Sequence, residues 1–488
     1  MDLTSAILII PFFAIPFILM AFKLKHKNLP PSPPGWPILG NLPTLFSHGN
    51  EPLHITLTNM APTYGPLLLL RLCQKRIVVA STTEAAMEIL KTHDRALSGR
   101  VIPSSFRIDY HIKHSIVWSD CNDTWKNIRK ILRTEIFAPK MLQVQEKIRE
   151  GKVRDMMNFI RGKQGNVVNV RQWVFGCLLN ILGQAVCSKD VFVYSDDGDK
   201  VGMQTLLRDM LINSGTPNIG EYFPILDPLD LQWLRRQCNQ LFRQGVKLWE
   251  GTVKERRLCR NEESMDMLDV LLANDFNDDQ INALFLETFG PGSETSSSTI
   301  EWALSELIRN PDKMAKLRKE LDQIVGKSTV KESHLPHLPY LQACIKETMR
   351  LYPSAPFLLP HKAVETCQVM GYTIPKGYGI LVNVYAIGRD PKLWKDPLTF
   401  TPERFLECDD MNYNGTNFQF LPFGAGRRIC VGWPLAERTI PLILSSLVHG
   451  FDWDLPDGKH HEDMEMNQVL HISLNKDPPL AVIPKMKA

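Results

Sequence analysis

The sequence predicts a mainly helical fold with a small strand-rich part. Helical periodicity dominates from about residue 120 to residue 324, whereas short apolar runs and proline-punctuated loops follow Tyr352. No internal repeat, low-complexity tract or obvious linker divides the chain of 488 residues. Its 44% hydrophobic and 22% charged residues are ordinary for a protein that builds a full core. We therefore expect a large helical body and not an intrinsically disordered chain.

The first element is an uncharged run of twenty residues from Leu3 to Phe22. Such a run is long enough for a helix that crosses ~30 Å of hydrocarbon. A cleaved signal peptide is the alternative, and it would begin with basic residues and end at a small-residue cleavage site. Here the only early charge is Asp2, and the run ends in bulky Met20 and Phe22. We predict that residues 3–22 form a retained transmembrane anchor.

The next segment, residues 23–37, is expected to form a basic and proline-rich hinge. Lys23, Lys25 and Lys27 follow the apolar run directly. By the positive-inside rule, this flank and everything after it lie in the cytosol. The prolines between Leu29 and Pro37 favour extended polyproline geometry, which makes a semi-rigid spacer. Residues 38–488 then form the remaining body.

Within the body, a few elements are predicted individually. Two short apolar runs separated by a turn indicate a pair of strands. A capping aspartate, Asp278 or Asp279, and the stop at Pro311 delimit the longest helix candidate. Proline residues also bound two further helix candidates. The predicted strands are Leu67 to Arg71 and Arg76 to Ala80, and the predicted helices are Asp279 to Asn310, Leu338 to Leu351 and one that follows Pro434.

Charge and cysteine content exclude two classes of protein. The formal net charge is +3, from 56 basic and 53 acidic residues, and a dedicated nucleic-acid binder is normally far more basic. Ten cysteines are too few for a disulfide scaffold in a chain of this length. No C-x-x-C pair occurs, so a zinc ribbon or a thioredoxin-type site has no support. We expect no nucleic-acid partner.

The most informative segment is the glycine-rich loop from Phe423 to Gly432, which contains Cys430. Glycines allow the backbone to turn tightly and a flat ligand to approach it. A helix is expected to begin near Pro434, so its N-terminus and nearby N–H groups would stabilise a thiolate at Cys430. Arg428 could pair with an acidic group of the ligand. A lone cysteine beside a glycine turn is more often structural, but here five motif positions occur together.

These five positions are Phe423, Gly426, Arg428, Cys430 and Gly432, and they complete a Phe-x-x-Gly-x-Arg-x-Cys-x-Gly pattern. The pattern resembles the signature of the cytochromes P450, the haem-thiolate monooxygenases. The resemblance implies the cytochrome P450 fold, with residues 38–488 as a haem-thiolate catalytic domain. It implies that Cys430 is the axial thiolate of a b-type haem, with Phe423 and Arg428 in the cofactor site.

Further motifs of the family follow in the expected order. Glu347 and Arg350 match its Glu-x-x-Arg pair, which the segment around Arg404 would complete as a structural unit. Trp125 and Arg129 match its Trp-x-x-x-Arg element, and the resemblance implies that both face a haem propionate. His361 follows Pro360, where the family often has an arginine or histidine against the other propionate.

The long helix contains a segment similar to the oxygen-activation element of the family. The resemblance implies that Thr295 is the hydroxyl near dioxygen and that Glu294 feeds it protons through water. Pro291 departs from the family, which usually has alanine or glycine there. Proline removes the N–H partner of the Glu287 carbonyl, so we expect a kink. The carboxylate of Glu287 could meet a protonated alkaloid nitrogen or have a structural role.

The resemblance narrows to a plant subfamily of alkaloid biosynthesis. Three segments carry it: Thr92 to Arg100, Ser115 to Ser119 and Phe289 to Ser293. The subfamily contains berbamunine synthase, corytuberine synthase and N-methylcoclaurine hydroxylase, and the motifs are nearest to the berbamunine synthase type. This likeness favours oxidative phenol coupling of benzylisoquinolines through a C–O or C–C bond. An alkaloid hydroxylase, a littorine mutase of the tropane pathway and a silent haem-binding membrane scaffold are the alternatives.

The same resemblance implies partners and substrate-contact segments. Substrates are a small-molecule alkaloid and O2, and electrons come from NADPH through a partner reductase. The protein is expected to be a single-pass protein of the endoplasmic reticulum membrane, in contact with lipid. A basic stripe for the reductase is predicted at Lys126, Lys130 and Arg133. Substrate contacts are expected from Phe106 to His114, around Gly290, from Ala355 to Leu359, and near Leu470 and His471.

Overall fold

The computed structural model describes residues 28–487 except 48, 50, 196–201, 260–265 and 409. The predicted anchor at residues 3–22 and the three lysines of the hinge lie outside these residues. No helix in the described part of the chain combines the length and the apolar character needed to cross a bilayer.

Helices make up most of the regular secondary structure in the described residues, as the sequence predicts. They are α1 Leu42–Phe46, α2 Leu53–Tyr64, α3 Thr83–Met87, α4 Asp109–His114, α5 Asp123–Ile131, α6 Pro139–Val144, α7 Glu146–Arg161, α8 Val170–Cys187, α9 Met203–Gly215, α10 Ile219–Tyr222, α11 Leu234–Leu258, α12 Met267–Ala273, α13 Asp278–Arg309, α14 Pro311–Ile324, α15 Pro339–Leu351, α16 Val384–Ile387 and α17 Trp433–Gly450.

The strands are short and form small sheets. They are β1 Leu67–Leu72, β2 Lys75–Ala80, β3 Gly99–Arg100, β4 Val168–Asn169, β5 His361–Lys362, β6 Cys367–Val369, β7 Tyr372–Ile374, β8 Gly379–Val382, β9 Phe451–Asp454, β10 Asn467–Leu470, β11 Leu474–Asp477 and β12 Ala481–Met486.

The largest sheet has the strand order β1-β2-β8-β5-β3. Strand β2 pairs with β1 in antiparallel fashion and with β8 in parallel fashion. At the far edge, Arg100 of β3 lies opposite His361 of β5. The sheet therefore brings two residues that are far apart in sequence to one end of the helical body.

Helix α13 is the central element of the helical part, and it packs against α8 and α17. Its N-cap is Asn277, whose side chain accepts from the Gln280 N–H in a capping box, so the predicted caps at Asp278 and Asp279 are wrong by one or two residues. The helix continues through Pro291 and ends at Arg309. Most of its residues are buried, because neighbouring helices cover it on several sides.

The predicted Glu-x-x-Arg pair is a buried ion pair in the last turns of α15. Glu347 and Arg350 make two hydrogen bonds of 2.7 and 2.8 Å, and both side chains are fully buried. Arg404 donates from Nε to the same carboxylate at 3.0 Å, and the Thr401 N–H donates at 2.8 Å. This cluster joins α15 to the segment after residue 397, which precedes the cysteine loop.

Candidate haem site

The cysteine loop folds as a tight turn ahead of α17. The N–H of Cys430 donates to the Phe423 carbonyl at 3.0 Å. Gly426 has a φ of +67°, and a Cβ there would lie 2.0 Å from the Leu90 carbonyl oxygen, so no other residue fits. The loop consequently holds Cys430 in the wall of a large cavity next to the N-terminus of α17.

The sulfur of Cys430 has the predicted electrostatic surroundings. Backbone N–H groups of Gly432 and Trp433 donate to it, and Arg129 lies nearby. Burial raises the pKa of the Cys430 thiol, whereas these donors and the guanidinium oppose that rise. A bound metal ion deprotonates a coordinating thiol outright. The loop thus offers a single soft sulfur ligand with two N–H donors on it.

Three guanidinium groups cluster in the cavity wall near the cysteine loop: those of Arg100, Arg129 and Arg428, of which Arg129 lies near the Cys430 sulfur. Every hydrogen bond that they make within the described residues goes to a backbone carbonyl, with none to a carboxylate. The Nε atom of Arg100 is buried and has no hydrogen-bond partner in the described chain. Burial and the neighbouring charge of Arg428 lower the pKa of Arg100 to about 9. The cluster is therefore a largely buried cationic site whose hydrogen bonds, within the described residues, all go to backbone carbonyls.

His361 and Trp125 complete the surroundings of this cluster. His361 is buried, and its Nδ1 lies 2.8 Å from the Leu97 carbonyl, so Nδ1 carries the proton. Burial and Arg100 hold its pKa well below the ordinary value. The indole ring of Trp125 lies between Arg129 and Arg428, with centroid distances of 5.1 and 4.7 Å, and its N–H donates to the Ile116 carbonyl at 2.9 Å. The contacts of both residues with a propionate stay predictions.

These residues fit a b-type haem. The cationic cluster offers charge partners for two carboxylate groups, and the cysteine sulfur offers one axial ligand. Arg100 belongs to this set and was not singled out from the sequence as a cofactor residue. Its role depends on the pairing of β3 with β5, which no local motif indicates.

Across the cavity, α13 presents Thr295 and Glu294. The Thr295 hydroxyl donates to the Pro291 carbonyl at 2.8 Å. The Glu294 carboxylate forms an ion pair with Arg171 and accepts from Ser473 at 2.9 Å and from Asn475 at 3.1 Å. Glu294 is thus held by three donors from distant segments, none of which the sequence analysis identified.

The predicted substrate-contact segments meet at the same cavity. Phe106, Gly290 and Ala355 line it, as do Ile472 and Ser473, which directly follow the predicted Leu470 and His471. Most of the remaining wall is apolar. It includes Leu178, Ile181, Leu182, Leu207, Met210, Leu286, Leu358, Leu359 and Leu435. This wall suits a mainly hydrophobic organic substrate.

Glu287 stands about two helical turns before Thr295 on α13 and is buried. Its carboxylate accepts from the N–H of Ile116 at 2.8 Å and of Val117 at 3.4 Å, and from the Ser115 hydroxyl. His111 contacts the carboxylate through Nε2 at 3.1 Å. These contacts give Glu287 a structural role, because it attaches the segment after α4 to α13.

A helical body with a small sheet, one cysteine and a cationic cluster at a shared cavity defines a class of haem-binding oxidoreductases. The chain belongs to the cytochrome P450 family, whose sequence model matches residues 30–482. It is a haem enzyme that acts on a small molecule with O2, and a partner reductase supplies its electrons.

Two plant enzymes resemble this chain over their whole lengths. Corytuberine synthase of Coptis japonica is 62% identical, and the match covers 100% of both chains. Berbamunine synthase of Berberis stolonifera is 56% identical, again over 100% of both chains. The identity to the corytuberine synthase is the higher of the two, whereas the sequence motifs had indicated the berbamunine synthase type.

A hydroxylase and a solved structure are more distant. Probable (S)-N-methylcoclaurine 3'-hydroxylase isozyme 2 of Coptis japonica is 48% identical over 99% of both chains. A zebra fish cytochrome P450 structure with abiraterone superposes with a TM-score of 0.74 at 26% identity, covering 90% of this chain and 100% of that one. The predicted cytochrome P450 fold of the body and the alkaloid subfamily are confirmed, whereas the N-terminal transmembrane helix stays a prediction.

Proposed function

We propose that this cytochrome P450 catalyses oxidative phenol coupling of benzylisoquinoline alkaloids. The likeness to the corytuberine and berbamunine synthases over the whole chain carries the proposal. In the reaction, two phenol groups lose one hydrogen atom each and join through a C–C or C–O bond. Reduction of O2 to two molecules of water takes up these two hydrogens together with two electrons and two protons.

The chain's own residues have distinct tasks in this proposal. Haem, when bound, supplies the binding and reduction of O2. Cys430 would supply the thiolate that ligates its iron, and Arg100, Arg129 and Arg428 would pair with its propionates. Phe423 begins the ligand loop, and its carbonyl accepts from the Cys430 N–H at 3.0 Å. The apolar wall holds the phenols in a fixed relative orientation, which is the main requirement for joining two radicals at one position.

Product mass is expected to identify the reaction. Full-length chain and a plant reductase in microsomes, supplied with NADPH, should convert reticuline or N-methylcoclaurine into a product that has lost two hydrogens. An intramolecular coupling keeps one substrate skeleton, whereas an intermolecular coupling joins two. Mass spectrometry of single and mixed incubations separates these cases. A gain of one oxygen would refute coupling and favour the hydroxylase alternative, which the N-methylcoclaurine hydroxylase relative supports.

Thr295 and Glu294 deliver protons in this proposal. The hydroxyl of Thr295 donates to Pro291, so its lone pairs remain free to accept from another donor. Glu294 lies next to it in the cavity wall and is fixed by Arg171. In this proposal Thr295 would hold a proton-donating group in the cavity wall, and Glu294 would supply protons to it.

Thr295→Ala is expected to lower the amount of product per NADPH consumed by about 10-fold or more, because proton delivery would fail while electron transfer continues. Parallel assays of NADPH, product and peroxide measure this ratio. Thr299→Ala is the matched control, since Thr299 lies one turn later in the same cavity wall and bonds to the Thr295 carbonyl at 2.9 Å. An equal fall in both variants would contradict a specific role of Thr295.

We also propose the membrane arrangement that the sequence predicts: an anchor at residues 3–22, a hinge at 23–37 and a cytosolic catalytic domain at 38–488, in the endoplasmic reticulum. Two groups of exposed apolar side chains, one at the start of the body and one after α10, support contact with lipid. Trp36 and Ile38 are 64% and 50% exposed, and Ile225 and Leu229 are 84% and 58% exposed. Both groups flank the turn after β1, where Cys73 bonds to Leu39 and Gln74 bonds to Tyr222.

For the reductase, we propose the basic stripe on α5 and the turn after it. Lys126, Lys130 and Arg133 are all exposed. Lys126 forms a salt bridge of 2.8 Å with Asp123, whose side chain is almost fully exposed to solvent. The stripe lies on the helix that carries Arg129, whose guanidinium is beside Cys430. An acidic partner docked there would approach the cysteine side of the site.

A further inference from the structure

His111 is a buried histidine in the wall of the substrate cavity. It lies on the short helix α4 and is only 1% exposed. Its ring packs between two phenylalanines, with centroid distances of 6.4 Å to Phe106 and 5.3 Å to Phe242. A buried imidazole in an otherwise apolar wall needs partners for both ring nitrogens.

The neighbouring carboxylate of Glu287 has no free position for a substrate group. A carboxylate accepts about four hydrogen bonds. Glu287 receives one each from His111, Ser115, Ile116 and Val117. Direct contact between this carboxylate and an alkaloid nitrogen would break one of them. The structural role of Glu287 therefore displaces the hypothesis that it binds the amine.

The hydrogen bond to Glu287 determines which nitrogen of His111 is available. Burial raises the pKa of Glu287 to about 7, whereas the donors Ser115, Ile116 and Val117 favour its ionised form. Opposite an ionised carboxylate, the imidazole carries its proton on Nε2, and Nδ1 is an acceptor. Nδ1 is buried and has no hydrogen-bond partner in the described chain. Burial lowers the pKa of His111 to about 4, which keeps the ring neutral near pH 7. His111, a residue of the cavity wall, thus has a covered, unpaired acceptor atom, and its other ring nitrogen is held by a carboxylate.

We propose that Nδ1 of His111 accepts a hydrogen bond from a phenolic hydroxyl of the substrate and so determines which phenol the cavity holds. This inference rests on the proposed function and deepens it. Glu287 acts as the positioning residue, because it fixes the tautomer and the ring orientation. A phenol suits this acceptor better than a tertiary ammonium does, since three carbon substituents shield the ammonium N–H and its charge pairs best with an open carboxylate.

The acceptor is closed to water in this structure. A hydroxyl that reaches it consequently displaces protein atoms, and it satisfies a group that is otherwise unpaired. This arrangement discriminates strongly between ligands with and without a hydroxyl at this position, because a ligand without that donor would leave Nδ1 buried and unsatisfied.

Binding titrations of the full-length, haem-loaded enzyme test the proposal without turnover. The ligands are reticuline, its two mono-O-methyl ethers and its di-O-methyl ether, and absorbance changes of the haem report the dissociation constants. Methylation of one hydroxyl should weaken binding about 10-fold, the equivalent of one hydrogen bond. If neither mono-ether binds more than about 2-fold more weakly than reticuline, no hydroxyl acceptor of this kind exists.

Two substitutions separate hydrogen bonding from shape. His111→Phe keeps a flat ring against Phe106 and Phe242 but removes both nitrogens, and it should weaken only the hydroxyl-bearing ligands, so that the preference for phenol over ether disappears. His111→Gln offers a donor to Glu287 and an acceptor to the ligand, and it should restore part of the preference. His114→Phe, on the same helix, is the matched control.

Equal weakening of phenol and ether in His111→Phe would mean that His111 is only structural, and the proposal would fail. If that variant does not retain haem, the comparison of ethers in the parent enzyme and in His111→Gln still decides. Product mass is independent of these titrations. A hydroxylated product with phenol-selective binding would overturn the coupling function alone, and a coupled product without such selectivity would overturn only the role of His111.

Discussion

Cys430→Ser is expected to abolish product formation, with a loss of more than about 100-fold, because serine offers a hard, protonated oxygen in place of a soft thiolate. The N–H groups of Gly432 and Trp433 would then bond to a neutral hydroxyl. The absorption spectrum of the reduced, CO-bound protein measures the axial ligand directly, and it should lose its thiolate-type band. Product assays with reductase should show the corresponding loss.

Cys121→Ser is the matched control for this substitution. Cys121 lies near the same cationic cluster, with its sulfur 4.0 Å from the Ser98 carbonyl, but outside the ligand loop. We expect this variant to keep the thiolate band and most of the activity. A thiolate-type band that persists in Cys430→Ser would show that another cysteine is the ligand.

Arg350→Met should have the largest effect on stability. Among the described residues, it leaves the fully buried Glu347 carboxylate with Arg404 and the Thr401 N–H as its remaining hydrogen-bond partners. It also strips the hydrogen bond of 2.7 Å that Arg350 donates to the Pro397 carbonyl. Removing one partner of a buried ion pair typically lowers the free energy of unfolding by about 3–5 kcal/mol. We expect the free energy of unfolding, measured by denaturant titration, to fall by that amount.

The control is Lys316→Met, which removes a half-exposed pair with Glu403. Exposed pairs contribute only about 0–1 kcal/mol, so this variant should unfold close to the parent midpoint. Similar losses in both variants would show that the Glu347 cluster has no special structural importance.

Local patterns in the sequence predicted much of the fold. The spacing of apolar residues and the prolines predicted both ends of the long helix to within one residue. The ends of strands β1 and β2 were also predicted to within one residue. The glycine loop predicted both the place of Cys430 and the N–H donors on its sulfur. These features depend on residues close together in the chain, where steric and capping rules act directly.

Features that depend on long-range contacts escaped prediction. Arg171 reaches Glu294 across 123 positions, and His111 reaches Glu287 across 176. No local periodicity encodes such pairings, because they follow from how α8, α4 and α13 pack. The same holds for Arg100, whose place in the cationic cluster follows from the register of two short strands.

A single residue, Ile116, joins two parts of the molecule that perform different tasks. Its N–H is bound to Glu287 on the substrate side, and its carbonyl accepts from Trp125 and from Arg428, at 3.4 Å, on the cofactor side. A ligand that shifts this residue must move hydrogen-bond partners on both sides together. By thermodynamic reciprocity, any change in substrate affinity that the bound cofactor causes through Ile116 is matched by an equal change in cofactor affinity that the bound substrate causes.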